Sequence, residues 1–150
     1  MQYGYFDNEK REYVIDNVAL PCSWTNYLGV EDMAAVINHT AGGYLFYKTP
    51  EYHRISRFRG NGVPMDRPGF YVYIRDNEKE DYHSISWQPV AKDVSKAKYR
   101  CHHGLSYTVY ESEYDGLASS QTMVIPRGGN VLLWDVKVKN TIDAVRNLSL

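Results

Sequence analysis

The sequence is short of cysteine, of single-sign charge and of long apolar runs, and each shortage removes a class of function. Only Cys22 and Cys101 are present, which argues against a secreted scaffold held by several disulfides. Seventeen Lys and Arg stand against eighteen Asp and Glu, a formal charge of −1. Nothing in that balance captures nucleic acid or an anionic bilayer. The longest apolar runs, such as Val131-Leu-Leu-Trp134, are far too short to span a membrane. Met1-Gln-Tyr-Gly-Tyr-Phe-Asp7 offers neither a basic n-region nor an apolar h-region, so no signal peptide is expected and the expected location is cytoplasmic. On that reading Asn38-His-Thr40 and Asn147-Leu-Ser149 match the glycosylation triplet by chance.

The common catalytic signatures are missing too. There is no Gly-x-Ser-x-Gly elbow and no glycine-rich phosphate loop. The pairs Gly42-Gly43 and Gly128-Gly129 are isolated and read as turns, although the first would also let backbone approach a ligand. Cys101-His102-His103 is the one dense group of metal-ligand residue types. Neighbours on a strand point to opposite faces, so the three do not surround one ion. The expectation there is a strand end with one buried thiol and one exposed imidazole, and no metal. Glu31-Asp32 qualify as acids by type alone, and Glu111 and Glu113 share one strand face that reads as solvent-facing. No catalytic residue, metal or cofactor is therefore expected in these residues.

What the sequence does have is tyrosine, 14 residues of 150. Tyrosine suits strands, and its ring with a polar tip also suits sugars. Period-two alternation dominates. Phe70 to Asp76, Leu105 to Tyr114, Leu117 to Ile125 and Val131 to Lys139 read as strands, with Asp115-Gly116 as a tight hairpin turn. Leu133, Asp135, Lys137 and Lys139 fall on one face of the last of these, with Leu132, Trp134, Val136 and Val138 on the other. Glu31 to Ile37 fits a short helix or a strand. A further strand starts at Val145, and the sequence stops at Leu150. The pattern predicts an all-β, antiparallel β-sandwich occupying residues 1–150 and cut short at its C-terminal end.

The most suggestive stretch is the predicted hairpin from Tyr44 to Asn61, where rings lie beside arginines. Tyr47, Arg54, Arg57 and Arg59 are the candidate substrate or interface residues, since Arg reads anions bidentately and rings stack on sugars. Strand parity would put Arg57 and Arg59 on one face and Phe58 opposite, in the core. A solvated basic hairpin is the plainer alternative.

Several blocks resemble glycoside hydrolase family 94, the cellobiose and chitobiose phosphorylases. They are Tyr3-Gly-Tyr-Phe-Asp-Asn8 with Arg11-Glu-Tyr-Val-Ile15, Trp24-Thr-Asn-Tyr-Leu-Gly29, Asn38-His-Thr-Ala-Gly-Gly-Tyr-Leu-Phe-Tyr47, His103-Gly-Leu-Ser-Tyr107 and Lys139-Asn-Thr141. The similarity runs over nearly the whole length. Asp66-Arg-Pro-Gly-Phe-Tyr-Val-Tyr73 and Ser84-Ile-Ser-Trp-Gln-Pro-Val-Ala-Lys92 resemble the diacetylchitobiose type, whereas Asn61-Gly-Val-Pro-Met-Asp66 resembles the cellobiose type. Arg59-Gly-Asn-Gly62 departs from a Tyr-Asn-Asn run usual in the family.

The resemblance implies the N-terminal part of a "supersandwich", followed in the parent by a helical linker and an (α/α)₆ barrel. It implies inverting phosphorolysis of a β-linked disaccharide, with inorganic phosphate as co-substrate and one Asp protonating the leaving oxygen. That acid belongs to the barrel, so no catalytic residue is assigned here. A homodimer is implied, with the sandwich at the subunit contact and the cleft rim, and the 150 residues alone are expected to be inactive. The alternative from another class is a free-standing carbohydrate-binding sandwich.

Overall fold

A computed structural model describes residues 2–57 and 68–150. Its elements are strands: β1 Gly4–Asp7, β2 Glu12–Ile15, β3 Thr25–Leu28, β4 Met33–Asn38, β5 Gly43–Tyr47, β6 Tyr73–Asp76, β7 Asp81–Ser84, β8 Ala97–His103, β9 Tyr107–Tyr114, β10 Leu117–Val124, β11 Leu133–Asn140 and β12 Leu148–Ser149. Among the described residues no helix is long and apolar enough to cross a membrane. The strands form one six-stranded sheet, β1-β2-β8-β9-β10-β11, and two three-stranded sheets, β12-β6-β7 and β3-β4-β5. Every pair between them is antiparallel. The all-β, antiparallel expectation holds.

Alternation explains the long central strands. β9 and β10 bury every second residue, and they pair from Tyr114↔Leu117 outward around Asp115 and Gly116. Both turn residues have positive φ, 48° and 76°. That is the backbone a two-residue turn needs to match strand twist, and Asp-Gly accepts it at low cost. The ambiguous Glu31–Ile37 stretch resolves as β4. Met33, Ala35 and Ile37 are buried in turn, and β3 and β5 flank it on either side. Gly43 is required by this arrangement. Its φ is 151°, and a Cβ there would lie 2.0 Å from the carbonyl oxygen of Val36.

The two small sheets pack against one face of the large sheet. The shared core joins Leu28, Ala35 and Ile37 of β3-β4-β5, Ile74 of β12-β6-β7, and Ile15, Cys101, Tyr110 and Met123 of the large sheet. Polar side chains stitch the layers together. Tyr110 Oη donates to Asn38 O at 2.7 Å, and Gln121 Nε2 donates to Phe70 O at 2.9 Å. Asn26 Nδ2 reaches Gly104 O, Tyr107 O and Thr108 Oγ1 at 2.9 to 3.1 Å.

Three strand expectations shift. The run from Phe70 becomes regular strand only at Tyr73, because Phe70 instead buries its ring edge-on to Trp134. The strand begun at Val145 is confined to Leu148–Ser149, paired with Asp76 and Arg75 of β6. β11 is an edge strand of its sheet, so Trp134 and Val138, on the face that packs inward elsewhere, remain 42% and 36% exposed.

One guanidinium holds that end of the molecule. Arg146 Nε and Nη2 donate to Asp76 Oδ2 at 2.8 and 2.6 Å. Its Nη1 and Nη2 reach Asp115 O and Oδ2 at 2.7 and 2.8 Å. Lys79 adds an ion pair to Asp115 Oδ2 at 2.6 Å. Asp76 Oδ1 meanwhile accepts the amides of Glu78 and Lys79, so its carboxyl is held below the usual carboxylate range.

Candidate functional site

The basic hairpin forms among the described residues, which reach Arg57. β5 turns at Lys48 to Glu51 and returns to a single bridge, Phe46↔Arg54. Tyr47 N donates to His53 O at 3.0 Å, and Ile55 N donates to Leu45 O at 2.8 Å. Tyr47 Oη donates to Asp32 Oδ2 at 3.0 Å, and Lys48 Nζ lies 3.8 Å from the same oxygen and 5.3 Å from the Tyr47 ring centroid. Arg54 is exposed, with Nε donating to Pro50 O at 2.8 Å. Arg57 is exposed beyond the bridge, in irregular chain, so strand parity does not fix its direction. Arg59, its predicted partner on that face, and Phe58 lie outside the described residues. Backbone pairing across the turn sets Phe46 opposite Arg54 and Tyr47 opposite His53, so the pairing does not bring Tyr47 and Arg54 to one face. The described residues of the hairpin offer recognition chemistry, a phenol, a guanidinium and an ammonium, and hold no carboxylate pair for acid–base work.

The Ser84–Lys92 block forms a compact loop after β7. Ser84 Oγ donates to Trp87 O at 2.6 Å, and Trp87 Nε1 donates to Lys92 O at 2.9 Å. The Gln88–Pro89 bond is cis. Trp87 and Ala91 have φ of 71° and 55°, a region that costs a residue with a Cβ of order 1–3 kcal/mol unless its surroundings over-determine it. The loop delivers Lys92 to the carboxylate of Asp81, which also accepts Tyr114 Oη at 2.6 Å. The ammonium lies 5.9 and 5.2 Å from the Tyr82 and Tyr114 ring centroids. His83 is buried beside it, and desolvation first, then Lys92, lowers its pKa to about 4.

A third cluster escaped the sequence reading. His102 is not exposed as expected. Its side chain is 13% exposed, and both ring nitrogens face carboxylates. Nδ1 is 2.9 Å from Glu12 Oε2, and Nε2 is 3.3 Å from Glu111 Oε2. Tyr107 Oη donates to the other oxygen of Glu12 at 2.5 Å. The bonds to Glu111 and Glu12 raise the His102 pKa against the opposing effect of burial. Glu111, expected in solvent, is instead half-exposed and held below its ordinary pKa chiefly by His102. Glu113 does face solvent and pairs with Lys98 at 3.1 Å. No sequence spacing announces this cluster, because Glu12 lies on β2 and the other members on β8 and β9.

Cys101 is buried as expected, and burial pushes its thiol well up. Its Sγ lies 3.7 Å from His103 Nδ1 on the same face, with His102 on the opposite one. Among the described residues no group of three or more His, Cys, Asp or Glu is placed to hold a metal ion.

The family follows from comparison with known proteins. Residues 11–150 match the model of the glycosyl hydrolase 94 supersandwich domain. The chain belongs to glycoside hydrolase family 94. Within this family it is 52% identical over 149 residues to an N,N'-diacetylchitobiose phosphorylase of Vibrio proteolyticus, and 50% identical to one of Vibrio furnissii. It is 33% identical to a 3-O-beta-D-glucopyranosyl-beta-D-glucuronide phosphorylase of Paenibacillus borealis. Each alignment takes in 99% of this chain but 18% of the relative, so the chain spans less than a fifth of the length of these curated relatives. The family 94 supersandwich assignment agrees with the observed layers, and the resemblance read from the blocks is borne out.

Proposed function

We propose that this chain is the non-catalytic N-terminal sandwich portion of an inverting β-disaccharide phosphorylase acting on N,N'-diacetylchitobiose and phosphate. The carrying observation is identity of 52% and 50% to two diacetylchitobiose phosphorylases, against 33% to a relative named for a different disaccharide. The resemblance of the Ser84–Lys92 block supports the same substrate. In this reading the parent is a cytoplasmic homodimer without a cofactor, and the Tyr44–Asn61 hairpin contributes to the subunit contact and the cleft rim. Residues 1–150 alone catalyse nothing, since the described residues offer recognition groups but no acid paired with a phosphate cradle.

The test uses the full-length protein. Comparing kcat/KM for phosphorolysis of diacetylchitobiose and cellobiose should give a clear preference for the former, and a large preference for cellobiose overturns the substrate assignment. In the same assays Arg57→Ala and Arg59→Ala should weaken the dimer in sedimentation or raise the KM for a substrate. Unchanged values in both variants reduce the hairpin to a solvated basic surface.

A further inference from the structure

We propose that Glu12, His102 and Glu111 form a proton-operated latch that fastens the β1–β2 hairpin to β8 and β9 of the large sheet. The geometry selects a protonation state. Both ring nitrogens of His102 lie within hydrogen-bond distance of carboxylate oxygens, Nδ1 at 2.9 Å from Glu12 and Nε2 at 3.3 Å from Glu111. A carboxylate only accepts, so both nitrogens must carry protons. Neutral imidazole has one N–H, and it would set a nitrogen lone pair against one of the two oxygens. The cluster also fixes Tyr107, whose hydroxyl uses the second oxygen of Glu12.

The latch sits at the narrowest joint of the sheet. β2 meets β8 over three register pairs, Tyr13↔His103, Val14↔His102 and Ile15↔Cys101, whereas β8 meets β9 over seven. Ile15 and Val14 are buried and anchor the inner end of β2. Glu12, one residue beyond the paired stretch, depends on its side chain to hold the outer end of the strand. His102 carries that connection across β8 to Glu111 on β9.

The charged and titratable groups around His102 come from each neighbouring element. β2 supplies Glu12, and β9 supplies Glu111 and Tyr107. Arg100 on its own strand and Lys10 in the β1–β2 turn act on Glu111, and Asp7 of β1 acts on Tyr107. His103, its neighbour on the opposite face, feels its charge. The folded protein holds the proton on His102 more tightly than the unfolded chain, whose histidine titrates near 6.5. The bridge is therefore complete below about pH 6.5 and lost as pH rises through the higher folded value.

Amide hydrogen exchange of the full-length protein, read by mass spectrometry and corrected for the intrinsic rate at each pH, tests this. Peptides covering residues 4–15 should be measurably better protected at pH 6.0 than at pH 8.5. Peptides from β9 and β10 should show no such change. In His102→Gln the hairpin should be weakly protected at both values. Equal protection of the wild-type hairpin at the two pH values overturns the latch, as does a loss shared equally by β9 and β10, or a pH dependence surviving in His102→Gln. Glu111→Gln guards against a misfolded histidine variant. It keeps the Glu12 bond and removes one charge, so the midpoint of the protection change should move to lower pH, and an unmoved midpoint also overturns the proposal.

Discussion

His102 and His103 stand side by side on β8 and face opposite sides of one sheet. On the outer side, His102 lies between two carboxylates, and its proton is held more tightly than usual. On the inner side, His103 Nε2 lies 3.3 Å from Trp24 O, Nδ1 is 3.1 Å from Thr108 Oγ1, and burial lowers its pKa to about 4. His39 belongs to the same interior. Its Nδ1 accepts from Trp24 N at 3.2 Å and its Nε2 donates to Val18 O at 3.1 Å, an arrangement that suits the neutral ring. Both faces satisfy their histidines, the inner one with carbonyl and hydroxyl groups and the outer one with anions. The face, not the local sequence, decides which form of the residue the fold keeps.

The largest expected departure comes from emptying the inner face. Tyr110 is fully buried and its hydroxyl joins two layers. Tyr110→Ala should cost about 3–5 kcal/mol, as large-to-small aromatic substitutions in cores do. Urea unfolding of the full-length protein measures it, and a loss under about 1 kcal/mol would show that this face is not the packed core.

Next comes acid. His103 and His83 have folded pKa values of about 4, and that of His39 is also lowered. The unfolded chain binds their protons near 6.5, so it binds more protons than the folded state between those values and stability falls as pH drops through that window. His103 alone accounts for roughly 3 kcal/mol across it. Unfolding midpoints at pH 7 and 4.5 should differ accordingly, and less so in His103→Gln. Equal midpoints would erase the contrast between the faces.

The smallest effect belongs to the solvated part of the outer face. Lys98 and Glu113 pair at 3.1 Å with side chains 75% and 56% exposed. Replacing either with Ala should move the midpoint by less than about half a kcal/mol. A larger change would mean that this patch is covered in the full-length protein.

Much of the fold was legible because period two and turn chemistry are local properties. Asp115-Gly116 declared its hairpin, and the Leu117 to Ile125 alternation became β10 almost unaltered. Met33 to Asn38 was open only until its two neighbours paired with it. What stayed hidden depends on register between distant strands. Glu12 and His102 are 90 residues apart, and Asp76 and Arg146 are 70 apart. No window along the chain contains both members. The candidate hairpin was legible as composition, through Tyr47 and Arg54. Its pairing was not, because among the described residues the return strand meets β5 in a single bridge, Phe46↔Arg54.

Arg146 has a mechanical consequence. A pull applied at Leu150 reaches the two-residue β12 and then a guanidinium tied to Asp76 before β7 and to Asp115 between β9 and β10. Thr141 N and Oγ1 both add bonds to Gly116 O at 2.8 Å. Tension arriving there is divided between two sheets at once instead of peeling one strand from its neighbour. The segment from Thr141 to Leu150 is thereby a load-sharing strut, and cutting Arg146 would turn it into a tether.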